Sequence, residues 1–120
     1  MALEHLQAGQ VANVQPYGAA LAGASNTALF KSAELEVMRL VLPKGKTMPA
    51  HQVQGEITIQ CIEGVVQIDA SAPAPAPEAS GSRRSSATLQ AGQLLYLPGG
   101  APHALLALED ASVLVTIVVK

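Results

Sequence analysis

At 120 residues the chain is long enough for a single core, which makes it one domain. Lys and Arg number 7 against 9 Asp and Glu, a net charge of -2, and with two Tyr, one Phe and no Trp there is neither a basic face for a phosphate backbone nor a platform for stacked bases, so no nucleic-acid partner is expected. Hydrophobic residues reach 49% with that few aromatics, so the core must be Val, Leu, Ile and Ala, and any ligand pocket in it must be aliphatic.

Residues 1–26 read as an N-terminal arm. Val11 and Val14 suggest a short strand, Pro16, Gly18 and Gly23 interrupt, and the alanines of 19–24 suit one helical turn. His5 in this arm reads as an ordinary surface residue. The stretch lacks a basic region followed by a long apolar run, so no signal peptide is read there. From residue 27 the pattern turns to strands, one over 27–31 and one over 34–42, with Ser32 and Ala33 between them. Arg39 shares the parity of Leu35, Val37 and Val41, which either points it at a buried face or a pocket, where a guanidinium needs an acidic partner or an anionic ligand, or leaves it snorkelling at a strand edge. Pro43, Lys44, Gly45 and Lys46 turn the chain.

Next come His51 after Pro49, a glycine at 55, and an alternation in which Ile57, Ile59 and Cys61 take one face and Thr58, Gln60 and Ile62 the other. In an unbroken strand Glu56 points away from His51; a bulge at Gly55 is what would swing it inward. Cys61, the single cysteine, excludes an internal disulfide and a thiolate-rich zinc site, suits a reducing cytoplasm, and reads as a small core residue. Residues 71–87, with Pro-Ala-Pro-Ala-Pro and the pair Arg83 and Arg84, read as an extended, flexible loop inside a hairpin, its arginines in solvent. Leu94 to Leu97 is a strand stopped by Pro98; Gly99 and Gly100 allow a tight turn, and Pro102 biases Ala101 toward an extended form that aims His103 along a new strand. Glu109 and Asp110 turn the chain into the β-branched run of 113–119, a strand buried on both faces and far short of the ~20 residues of a membrane-spanning helix.

Gly92, Pro98, Gly100 and His103 stand in the register of the second motif of the cupin superfamily, with Ala107 where that pattern ends in Asn. Gly45, His51 and Gly64 match the frame of the first cupin motif, but Val53 stands at its second histidine, and Ile57 or Thr58 at its carboxylate, with Glu56 slightly early. The chain therefore resembles a small single-domain, RmlC-like cupin with a degenerate first motif. The resemblance implies an all-β jelly-roll barrel over 27–120, with the arm as a dimer contact and a second subunit covering the outer face. It also implies a pocket in the barrel mouth formed by His51, His103, Arg39, Ile57, Ile59, Cys61 and Tyr96.

Three functions follow as expectations. In the first, the protein is a cytoplasmic, homodimeric binder of a small organic ligand, its two imidazoles hydrogen-bonding a carboxylate, enol or carbonyl. In the second, it is a metal-dependent oxygenase, isomerase or decarboxylase with one divalent ion (Fe, Mn, Ni or Zn) on His51, His103 and Glu56. The third is a structural or regulatory homodimer without ligand. No Gly-x-Ser-x-Gly elbow or phosphate-binding glycine loop supports another mechanism.

Overall fold

The structure, a computed structural model, describes residues 6–73 and 82–119. Among them are nine strands: β1 (Thr27–Lys31), β2 (Leu35–Leu42), β3 (Thr47–His51), β4 (Ile57–Glu63), β5 (Val65–Pro73), β6 (Ser82–Gln90), β7 (Leu94–Leu97), β8 (His103–Ala107) and β9 (Ala111–Val118). They form two antiparallel sheets, one ordered β1-β2-β9-β4-β7 and the other β3-β8-β5-β6. This is the jelly-roll arrangement expected from the sequence.

Period-2 alternation fills the space between the sheets. From the five-stranded sheet come Ile57, Ile59 and Cys61 of β4, Val113 and Val115 of β9, and Leu42 of β2, all buried. The four-stranded sheet answers with Val66, Ile68 and Ala70 of β5, Leu89 of β6, and Leu105 and Ala107 of β8. The core is aliphatic throughout, as the shortage of aromatics requires. Truncating one of its larger members, Ile59 for instance, should cost about 2–5 kcal/mol.

The arm folds differently from its sequence pattern in one respect. Val11 and Val14 form no strand, and Val11 is 93% exposed, because no neighbouring strand is there to pair with them. Gly18–Gly23 makes a short 3-10 helix, the expected turn among the alanines. The hairpin between β5 and β6 is also longer than its composition suggests. Strand pairing runs out to Pro73 and Ser82, so much of 71–87 is ladder, with Pro73 at the strand's end. His5 and residues 74–81 lie outside the described residues. No helix among the described residues is long and apolar enough to cross a membrane.

Two glycines hold the loop that precedes β4. A β-carbon at Gly55 would collide with the carbonyl of Val118, and one at Gly99 with the carbonyl of Gln54. The turn after β7 is pinned to the same loop, since the Gly100 N–H donates to the Val53 carbonyl at 2.7 Å. Gly100 itself has φ of +82°, which favours glycine. Gly55→Ala is expected to destabilise the protein by at least about 2 kcal/mol through a backbone collision, whereas Gly23→Ala, whose β-carbon meets open space, is expected to be close to neutral. Urea denaturation of both variants checks this; equal midpoints would show that the loop yields without cost.

Candidate functional site

His103 opens β8 on the inward parity shared by Leu105 and Ala107, and it is 2% exposed. His51 ends β3 and pairs directly across the ladder with His103. Regular alternation from the half-buried Met48 would put His51 on the opposite face. The register shifts between Met48 and His51, one extra residue entering β3 around Pro49, and the bulge turns His51 to the Met48 side. Pro49 has no N–H to lose at that irregularity. The two rings lie 4.4 Å apart, centroid to centroid, tilted by 56°.

Each imidazole is oriented by a backbone carbonyl two residues earlier. His51 Nδ1 lies 3.2 Å from the Pro49 oxygen and His103 Nδ1 3.1 Å from the Ala101 oxygen. A carbonyl can only accept, so each Nδ1 carries the proton, and in the neutral ring Nε2 is left with a lone pair. Neither ring makes another hydrogen bond among the described residues. Both line a cavity of about 140 Å³ whose other walls are Met38, Leu40, Met48, Ile57, Ile59, Leu105, Val115 and Ile117. Among the described residues the two histidines are its only polar side chains.

Of the residues that sequence assigned to the pocket, Ile57 and Ile59 join the histidines there, and the others do not. Arg39 lies on the opposite face of β2 from the cavity-lining Met38 and Leu40. Its guanidinium is buried with an acidic partner, not a ligand: Nη2 donates to Glu63 Oε2 at 3.2 Å, to Ser112 Oγ at 3.1 Å and to the Gln15 carbonyl at 2.7 Å, and the Tyr17 ring stacks 3.8 Å from its central carbon. Cys61 keeps the inward parity but sits two residues beyond Ile59, roughly 7 Å along the strand, in packed core; its thiol donates to the Glu63 carbonyl, and burial raises its pKa. Tyr96 alternates with the inward Leu95 and Leu97 and is 54% exposed, its hydroxyl donating to Glu56 Oε1 at 2.7 Å. That bond raises the Tyr96 pKa by stabilising the neutral phenol beside a carboxylate. Glu56 is therefore exposed on the outer side, and Gly55, closed against Val118, gives no bulge to bring it in.

The structure has a second polar cluster that sequence reasoning met only through Arg39. Glu63 accepts from Ser112 Oγ at 2.6 Å and from the backbone N–H groups of Tyr17 and Gly18 at 2.9 and 3.0 Å. It thereby clasps the arm to the outer face of the large sheet. A buried arginine demands a carboxylate, but Glu63 reads from sequence as an ordinary turn residue beside Gly64.

Solved structures with this arrangement are numerous. A cupin superfamily protein from Desulfitobacterium hafniense superposes with a TM-score of 0.62 at 14% identity, over 79% of this chain and 76% of that one. A conserved protein of unknown function from Streptococcus pyogenes gives 0.65 at 20% identity, over 100% and 98%. Oxalate decarboxylase from Bacillus subtilis, described with Mn(II) centres, gives 0.62 at 23% identity over 72% of this chain, which spans 22% of that larger protein. The fold is a cupin. No protein-family model matches the sequence, and no curated protein does. At these identities the likeness concerns the fold alone.

Measured against the cupin metal pattern, the donor set falls short. Ile57, at one of the two positions matching the carboxylate, is a wall of the cavity, and Val53, at the second histidine, packs against the core. Among the described residues no three His, Cys, Asp or Glu side chains converge. Two imidazoles in an aliphatic pocket do not fit a resident ion that needs three or four protein ligands.

Burial lowers the His103 pKa below its ordinary 6.5; the Ala101 carbonyl opposes this and the charge of a protonated His51 reinforces it. The folded protein thus takes up this proton less readily than the unfolded chain. The stabilisation is complete above about pH 6.5 and is lost as pH falls toward the folded value. For Glu63 burial pushes the pKa up, but the bonds from Ser112, Tyr17 and Gly18 and the charge of Arg39 outweigh it, so the net shift is downward. Its contribution is present above about pH 4.5 and is lost below that. Urea midpoints measured from pH 8 to pH 3 should fall in two stages. His103→Leu should flatten the stage that begins as pH falls through about 6.5, and Glu63→Gln the stage that begins below about pH 4.5; an unchanged upper stage in His103→Leu would refute the burial argument.

Proposed function

We propose that the protein binds a small organic molecule in the cavity between its sheets, with His51 and His103 as the polar contacts and without a resident metal. The observation that carries this is the pairing of two imidazoles, each held by a backbone carbonyl, on the wall of an otherwise hydrocarbon space. Burying such groups costs free energy unless something hydrogen-bonds them, and a ligand that does so recovers that cost. Exposed His51 marks the mouth, and buried His103 the inner wall. The shortage of convergent donors argues for organic rather than metal recognition.

A second reading has one observation in its favour. Histidines that ligate metals typically donate their other ring N–H to a carbonyl or carboxylate, as both rings do here. In that reading an ion on His51 and His103 would take its remaining ligands from water or substrate.

Thermal-shift measurements on chelator-treated protein separate the two. A panel of short-chain acids, enols, alcohols and small aromatics should contain compounds that raise the melting temperature saturably without metal; at a hundredfold excess over Kd the stabilisation is about 2.7 kcal/mol. In His103→Ala the stabilisation by compounds that hydrogen-bond the imidazole should weaken by about the worth of one hydrogen bond. Stoichiometric uptake of Mn(II), Fe(II), Ni(II) or Zn(II), with organic ligands acting only in its presence, would replace this reading with the metal-dependent one.

A further inference from the structure

We infer that the cavity selects a neutral, compact, mostly hydrocarbon molecule that donates a hydroxyl, such as a phenol or a small branched alcohol, over a carboxylate. This rests on the cavity being a ligand site and specifies which chemistry it takes. Three features of the site lead there.

Size comes first. At about 140 Å³ the space is close to an engineered apolar cavity of roughly 150 Å³ that admits benzene. One small ring or a branched chain of similar bulk fills it. Next is the wall: Met38, Leu40, Ile57, Ile59, Leu105 and Val115 offer only hydrocarbon or thioether, which suits an apolar body and solvates no charge.

The polar contacts decide the rest. Because Pro49 and Ala101 carbonyls occupy both Nδ1–H groups, the neutral rings have Nε2 lone pairs to offer and no free N–H. A pair of acceptors recognises a donor. A hydroxyl supplies one; a carboxylate supplies none, and it would bring its charge to a wall without a cation. Arg39, the cation that an acid-binding pocket would use, is turned to the other face of the sheet and bound to Glu63. The carboxylate recognition expected from sequence is the alternative that the geometry disfavours.

Calorimetric titration of chelator-treated protein at pH 8, above the ordinary imidazole range, tests this with phenol, toluene, benzyl alcohol and benzoate. Phenol and toluene share a shape and differ in the hydroxyl; benzyl alcohol and benzoate are near in size and differ in charge. Phenol should bind about fivefold more tightly than toluene, the fold-change of one modest neutral hydrogen bond, and benzyl alcohol should outbind benzoate. In His103→Leu the phenol advantage should disappear or reverse, while toluene still binds. His51→Leu, at the exposed position, gives the same comparison if loss of His103 prevents folding. Benzoate binding more tightly than benzyl alcohol, or toluene matching phenol, would overturn the inference and leave the binding site standing. If none of the four binds at millimolar concentration, the inference and the binding reading fall together.

Discussion

One extra residue in β3 decides what this barrel offers a ligand. Without the register shift between Met48 and His51, the exposed histidine would sit on the outer face, and buried His103 would be the only polar group in an aliphatic space. With it, two imidazoles from adjacent strands meet at 4.4 Å. The ladder fixes the pair more firmly than side-chain contact alone would, because His51 and His103 are direct cross-strand partners. Each ring is then oriented by its own strand's backbone, through a carbonyl two residues upstream.

The large sheet keeps its polar and apolar work apart by parity. Its inner face carries Met38, Leu40, Ile57, Ile59, Val115 and Ile117 toward the cavity. Its outer face carries Arg39 and Tyr96, with Glu63 and Ser112 meeting the guanidinium beside the arm. Alternation along β2 separates Arg39 from Leu40 by one residue and places a buried cation and a hydrocarbon wall back to back. Glu63, Ser112 and the Gln15 carbonyl all bind its Nη2, and Tyr17 covers it, while its Nε stays buried with no partner among the described residues. These polar bonds tie the arm down at Gln15, Tyr17 and Gly18, and the Leu6 N–H, donating to the Leu29 carbonyl at 2.8 Å, ties it again near its start.

Much of this was legible in sequence, and for physical reasons. Turn chemistry at Pro98, Gly99 and Gly100 announced the entry to His103, and period-2 alternation announced the faces of β4, because both are local properties of a few residues. For Arg39 the sequence left open a buried cation with a partner and an arginine snorkelling at a strand edge; the structure has the first, and its face was not legible. Which side of a sheet faces the core depends on the other sheet, and nothing near Arg39 in sequence records that. The bulge escaped for a similar reason. Gly55 looked like the residue to permit one, yet its missing side chain serves a close approach to the Val118 carbonyl, and the bulge falls at Pro49 instead. The length of the β5–β6 hairpin was hidden by its composition, since ladder pairing from Val65 to Pro73 tolerates residues that alone would not form a strand.

The departures from the cupin metal pattern follow from one electrostatic argument. A divalent ion in an aliphatic pocket must recover its hydration energy from the ligands around it, and anionic or multiple donors are what make that possible. Here Val53 and Ile57 or Thr58 stand at two positions that carry donors in the cupin pattern, and the candidate acid, Glu56, is engaged with Tyr96 on the outer side. At Ile57 hydrocarbon stands beside His51 and His103 in the cavity wall where the pattern would carry a donor, so the cost of a charge there is high and the means of compensating it few. For a neutral guest the same changes act in the opposite sense. An apolar wall improves its burial, and one hydroxyl can donate to either of the two lone pairs that the carbonyls keep in place, with no coordination sphere required. The same aliphatic wall that makes a charge costly there favours the burial of uncharged atoms.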